Sequence, residues 1–252
     1  MAVATCTKCH GSGWIIVERD GISGADRCDC EIAERPERVL EKANIPLNYR
    51  EKSIDNFSAA YDPIAQTALL EVLNATKMYI REFPPSDKPG LLFIGNPGTG
   101  KTHLAVAVLR ELIQKRGFEG VFFDYQNLLD RIRSGFDQTA MVSDREAYRT
   151  ALETEILLLD DLGAHRVSEF VEDVVTSIIT HRCNERKALI ATTNLRDTEV
   201  GDRREATPSG DPHARYFLEE RIGSRARSRL FEMCRVVRIR GVEDYRLRKS
   251  AV

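Results

Sequence analysis

No stretch of this chain approaches the roughly 18–20 consecutive apolar residues that a membrane-crossing helix needs, and its N-terminus has no apolar signal core. A cytoplasmic protein without a membrane partner is therefore expected. An excess of charge of one sign is missing too: 37 Lys and Arg stand against 39 Asp and Glu, a formal net charge of −2. That balance gives no ground for avid nucleic-acid binding by the surface as a whole and leaves such work to local basic clusters. Internal repeats and low-complexity tracts are absent, so a repeat array is excluded. Residues 1–30 also lack core-forming apolar runs, and such a segment needs a staple to hold any shape.

What the 252 residues do contain suits one α/β domain with a small appendage. The reading divides them into a module at 1–35, a connector at 36–58 and a main domain at 59–252. A charged amphipathic helix is expected from Glu31 to about Lys42, followed by an extended stretch, Asn44–Ser58. Asp62-Pro63 makes an N-cap and first helical residue. Gly90–Gly95, Val121–Tyr125, Glu155–Asp160, Ala188–Thr193 and Arg235–Ile239 read as strands. Helical periodicity fills Lys101–Arg116 and Ser168–Asn184, and Ser143-x-x-Glu146 is a capping box. Strands alternating with helices predict a five-stranded parallel sheet covered on both faces.

Gly95-Asn96-Pro97-Gly98-Thr99-Gly100-Lys101-Thr102 matches G-x-x-x-x-G-K-[ST] between an apolar strand and an amphipathic helix. Glycines let such a loop turn its N–H groups toward a β-phosphate, and Lys101 reaches the β- and γ-phosphates. The Thr102 hydroxyl is placed to ligate Mg²⁺, and the helix beginning there adds the positive end of its dipole. The expected ligand is ATP with Mg²⁺. Asp160 and Asp161, at the end of the third strand, would respectively hold the magnesium and deprotonate the attacking water. Asn194, ending the fourth strand, can bond the γ-phosphate or that water.

Four of the six cysteines crowd the first thirty residues. Cys6-x-x-Cys9 and Cys28-x-Cys30 suit a tetrahedral zinc site at the base of a small β-ribbon. His10 or a mixed ligand set, free thiols and an iron–sulfur cluster stay open as alternatives. Cys183 and Cys234 read as buried small hydrophobes.

In order along the chain stand GNPGTGKTHL, LLLDDLG, ATTNL, Gly223-Ser224-Arg225-Ala226-Arg227-Ser228-Arg229-Leu230 and Glu243-Asp244-Tyr245-Arg246. With these motifs the sequence resembles an AAA+ ATPase of the DnaC/DnaI helicase-loader and IstB transposition-ATPase clade, from about Ile45 to Arg248. The resemblance implies that the nucleotide loop extends through His103 and that Arg229 is an arginine finger serving a neighbouring subunit, with Arg225 second. It places Arg246 as the sensor-2 arginine. Asp161 stands where many AAA+ proteins carry Glu, so a slow, switch-like ATPase is expected; about a dozen residues follow the last strand, so the usual C-terminal helical lid is not expected. DnaI-type loaders are similar in having an N-terminal zinc-binding domain that engages the helicase. The implied partners are a hexameric replicative helicase, docked through residues 1–35, single-stranded DNA, and further copies of the chain. An IstB-like ATPase that recruits a transposase, and a nucleotide-gated adaptor that does not hydrolyse, are the competing readings. Arg131, Arg133, Arg145 and Arg149 are candidate DNA contacts, though a solvated helix face fits them equally.

Overall fold

A computed structural model describes residues 7–9, 14–19, 22–27, 39–58, 63–135, 142–165, 168–197 and 216–246. Near the N-terminus, β1 (Trp14–Arg19) and β2 (Ile22–Arg27) form an antiparallel ribbon in which Trp14 opposes Arg27. The main sheet has five strands: β3 (Gly90–Gly95), β4 (Gly120–Asp124), β5 (Ile156–Asp160), β6 (Ala188–Thr193) and β7 (Cys234–Ile239). Their spatial order is β4-β5-β6-β3-β7, and every neighbouring pair is parallel. The helices are α1 (Pro63–Glu82), α2 (Lys101–Arg116), α3 (Tyr125–Gly135), α4 (Val142–Glu153), α5 (Glu169–Asn184), α6 (Leu218–Ile222) and α7 (Ser224–Met233).

Strand parity explains the continuous apolar runs. Leu91, Phe93, Phe122, Leu158 and Ile190 point to one face, where they pack with α1 and α2. Leu92, Ile94, Phe123, Leu157, Leu159 and Ala191 point to the other, against α3, α4, α5 and α7. Since both faces are covered, alternate residues are equally apolar, and a strand such as GLLFIG loses its two-residue rhythm. The five-stranded parallel sheet clothed by helices on both sides is thus as the sequence predicts.

Local signals set the ends. Gly117, at φ 73°, stops α2 and returns its N–H to the Ile113 carbonyl. Ser168 caps α5 by accepting from the Val171 N–H. By contrast α4 already begins at Val142, which puts Ser143 in the first turn rather than at the cap. Where the sequence reading has one helix between β4 and β5, there are two. Of the helix expected over 31–42, residues 39–42 are helical and the remainder lies outside the described residues, as does the loop at 201–213.

The stretch expected to be a connector packs on the sheet. Ala43 and Ile45 are buried with Leu91 and Phe93, and the Ala43 carbonyl accepts from the Phe122 N–H of edge strand β4 at 2.7 Å. That pairing helps to cover an edge that would otherwise expose unpaired backbone. Among the described residues no helix is long and apolar enough to cross a membrane.

Candidate nucleotide site

The carboxyl ends of β3, β4, β5 and β6 open onto one cavity of about 400 Å³. Open α/β sheets bind ligands at this edge because strand-end loops and helix N-termini converge there. Its floor is the loop from Gly95 to Thr102. Gly98 and Gly100 have φ of 72° and 91°, the left-handed region. A Cβ on Gly98 would run into the Asp244 carboxylate, and one on Gly100 would stand 2.5 Å from Phe57 Cε2. Backbone conformation and crowding therefore both require glycine at these two positions.

Within the loop, Thr99 Oγ1 and Lys101 Nζ both donate to the Asn96 carbonyl, at 2.9 and 2.7 Å. Burial pulls the Lys101 ammonium down to about 8, and the Asp161 and Asp160 carboxylates oppose that shift. A cation so desolvated gains strongly from the charge of a polyphosphate. Thr102 Oγ1 donates to Asp160 Oδ1 at 2.9 Å, and Thr192 Oγ1 donates to the same oxygen at 2.6 Å. Burial raises the Asp160 carboxyl and these two hydroxyls counter it. A hydroxyl beside a carboxylate offers hard oxygen donors, so Thr102 and Asp160 fit Mg²⁺.

Asp161 takes up a left-handed conformation, φ 59°, uncommon for a non-glycine residue and best tolerated by Asp and Asn. Its N–H donates to Thr192 Oγ1 at 2.9 Å, and its Oδ1 accepts from Asn194 Nδ2 at 2.5 Å. The next residue continues the stitching: the Leu162 N–H donates to the Thr192 carbonyl at 2.8 Å. The ends of β5 and β6 thus carry Asp160, Asp161, Thr192 and Asn194 as one bonded group.

Further elements complete the walls. Asp124, whose Oδ1 caps α3 by accepting from the Asn127 N–H, ends the strand beside Asp160 and lines the cavity. Tyr49, Lys52, Asn56, Phe57 and Ser58 line it from the supposed connector. His103 also lines it, but its Nε2 is engaged by the Ser53 carbonyl at 2.9 Å and its ring meets Phe57 edge-on. From the C-terminal side, the Tyr245 N–H donates to the Gly98 carbonyl at 3.1 Å. Arg246 lines the cavity next to Asp244, its Nε 3.3 Å from Oδ1. Sequence reasoning missed Tyr49 and Asp124. Neither belongs to a motif, and only the packing of residues 43–57 and the order of strands bring them in.

The four arginines of residues 221–229 do not share one solvated face. Arg227 is buried against Asp197, Nε to Oδ1 2.7 Å, and Arg238 reaches the same carboxylate at 3.5 Å. Arg221 stacks over Tyr216 at 3.9 Å. Arg225 and Arg229 are exposed and stand outside the cavity lining. Arg229 Nη1 donates to Glu232 at 2.7 Å, with Cys183 beside it. Cys234 is buried as expected, whereas Cys183 is only half-buried.

Of the cysteine module, Cys9 is described and buried. Cys6, Cys28, Cys30 and His10 lie outside the described residues, so they contribute nothing to the finding that no cluster of three metal-binding side chains occurs among those described. Arg131 lies over the Phe123 ring and Arg133 over Phe170, while Arg149 pairs with Glu146 at 3.7 Å.

The chain is 26% identical over 163 residues to the replicative helicase loader DnaC of Buchnera aphidicola, covering 65% of this chain and 63% of that one. It is 24% identical over 246 residues to the uncharacterized protein YqaM of Bacillus subtilis, covering 94% of this chain and 68% of that one. A crystal structure of the DnaC helicase loader superposes with a TM-score of 0.62 at 31% identity, over 77% of this chain and all of that one. The fold is accordingly the α/β P-loop AAA+ fold. Residues 31–252 match the IstB-like ATP binding protein family, and the chain belongs to that family.

Proposed function

We propose that this chain is an ATP-hydrolysing switch that loads a replicative DNA helicase onto single-stranded DNA. The observation that carries the reading is the bonded group Thr102–Asp160–Thr192 with Asp161–Asn194, facing the nucleotide loop in one cavity. Lys101 and the loop N–H groups bind and orient the β- and γ-phosphates, and Thr102 with Asp160 holds magnesium, which supplies neutralising charge to the phosphates. Asp161, aimed by Asn194, takes the proton of the attacking water. One carboxylate acting without a longer Glu fits a slow, timer-like rate. Arg229, exposed on α7 and away from its own cavity, would serve the γ-phosphate of a neighbouring copy, with Arg225 as second choice. Arg246 would sense nucleotide from the C-terminal side.

Helicase docking is assigned to residues 1–35, held by zinc on Cys6, Cys9, Cys28 and Cys30. In support, the ribbon pairs Trp14 with Arg27, so the chain arriving from Cys9 and the chain leaving toward Cys28 meet at one end. The family match covers residues 31–252 and leaves out residues 1–30, which hold the four clustered cysteines. A pull-down with the host's replicative helicase, using the full chain and one lacking residues 1–35, tests the reading. Capture by the full chain alone is expected. Capture of a transposase, with none of the helicase, would move the assignment to the IstB-like transposition ATPase that the family match also favours.

A further inference from the structure

The last described segment, residues 244–246, is packed onto the nucleotide loop. The Asp244 carboxylate lies over Gly98 in the space a side chain there would need, so only glycine lets the two segments come this close. Alongside, the Tyr245 N–H donates to the Gly98 carbonyl at 3.1 Å. Asp244 also caps the helical turn that opens at Tyr245, its Oδ1 accepting from the Arg246 N–H at 2.8 Å. The same oxygen meets Arg246 Nε at 3.3 Å. Tyr245 and Arg246 line the cavity, and at Lys101 the Asp244 carboxylate and the Arg246 cation act in opposite senses.

Asp244 thus combines a shape and a charge that can be separated. Its cap and its fit over Gly98 need a planar polar side chain of this size, which asparagine supplies equally well. Its charge is another matter, because a carboxylate beside a loop that takes up phosphates repels the ligand. The partner of that charge is Arg246, and the pair is weak. At 3.3 Å it is longer than the roughly 2.7–2.9 Å of a strong charge-assisted bond. The Arg246 side chain is 70% exposed, so water screens it. A polyphosphate offers the guanidinium more charge and a fork of oxygens. We propose that Asp244 is a positioning residue, the resting counter-ion of Arg246: it parks the guanidinium at the nucleotide loop, and bound ATP takes it over. Nucleotide binding then has to break the Asp244–Arg246 pair, which lowers the affinity for ATP.

The inference rests on Arg246 meeting ATP in this cavity, and one set of titrations separates the two. A fluorescent ATP analogue is titrated with Mg²⁺ into the full chain, for the parent, Asp244→Asn, Arg246→Ala, Arg246→Lys and the two double variants. Arg246→Ala alone should bind more weakly than the parent. Asp244→Asn keeps the cap and the shape over Gly98, and it should bind about 3–5-fold tighter, the scale of a largely exposed ion pair. With Arg246→Ala the second change should have no further effect, since no cation is left to park. With Arg246→Lys, which keeps a cation, the tightening should return. Unchanged or weaker binding by Asp244→Asn would overturn the proposal, weaker binding marking a purely structural cap. So would an equal gain with and without a cation at position 246, which marks simple repulsion of the phosphates. If Arg246→Ala binds as the parent does, Arg246 does not meet the nucleotide and the proposal falls with that reading. A parent chain that fails to bind the analogue would sink the nucleotide site itself.

Discussion

At the scale of single residues, the nucleotide cavity is a balance between desolvated charges. Lys101 and Asp160 are both pushed toward their neutral forms by burial, and each is partly restored by neighbours, carboxylates for the lysine and hydroxyls for the aspartate. Removing the lysine leaves the phosphates without their buried cation. Lys101→Ala should weaken ATP binding by about 100-fold or more, since bonds to charged groups contribute about 1.5–3 kcal/mol each. Titration with a fluorescent ATP analogue reads this, and unchanged affinity would rule out the loop as the nucleotide site. Asp161→Asn is the complementary change. Asn tolerates φ 59° and can still meet Asn194, so ATP should bind as before. Hydrolysis, followed by phosphate release, should drop by about 10²–10⁴-fold, the usual contribution of a general base. Full activity in that variant would favour an adaptor or another base.

At the scale of elements, two buried arginines join segments far apart in sequence. Arg182 of α5 is fully buried and donates to the carbonyls of Ala151, Leu152, Thr154, Glu155 and Ala188. One guanidinium thereby closes the C-terminus of α4 and the entries to β5 and β6, where a helix end leaves carbonyls without partners. Arg182→Met should cost about 3 kcal/mol or more, because several buried acceptors lose their donor together. Denaturant unfolding measures it, and a loss below 1 kcal/mol would mean that water replaces the side chain. Arg227 of α7 is paired with Asp197, which is buried to 2% exposure just past β6. Truncating Arg227 leaves that carboxylate the longer contact to Arg238 at 3.5 Å, and a loss toward the lower end of the about 3–5 kcal/mol of a broken buried pair is expected in the same measurement. The pair also fixes α7, the helix carrying Arg225 and Arg229, to the segment that follows Asn194.

At the scale of the whole molecule, the assignment of Arg229 can be tested by mixing. An Arg229→Ala chain leaves its own nucleotide loop intact, so it should bind ATP normally while hydrolysis falls. In efficient P-loop enzymes an arginine finger contributes about 10³–10⁵ in rate, and a slow enzyme should lose less. With Arg229 as the finger, Arg229→Ala and Asp161→Asn would be defective on opposite sides of a subunit junction. Mixed, they should form some junctions with both groups intact and recover part of the activity. If both variants still assemble with ATP and the mixture hydrolyses no faster than its components, Arg229 is not the finger and Arg225 becomes the next residue to change. Zinc is a second whole-chain measurement. About one equivalent per chain is expected, released by Cys6→Ser or Cys28→Ser with loss of the N-terminal module's folding; iron, or no metal under reducing conditions, would remove the zinc reading.

Local chemistry made much of this protein legible before its fold was known. The nucleotide loop, Asp160, Asp161 and Asn194 each depend on a strand end followed by a particular turn, and that dependence is written within a few consecutive residues. The five strands and the principal helices were legible for the same reason, since burial on two faces makes strands continuously apolar and burial on one face makes helices periodic. Tertiary structure alone decided which polar side chains belong to which environment. Arg227 and Arg229 stand two residues apart in one basic run, yet one is buried on Asp197 and the other is exposed. Arg182 looks like any polar position on a helix until five carbonyls from other segments surround it. Tyr49 looks like a connector residue until α2 draws residues 52–57 onto itself and the tyrosine joins the wall of the cavity. The reason is physical: a strand-end motif acts through its own backbone, whereas the environment of an arginine or tyrosine head group, several bonds out from the chain, is set by elements distant in sequence.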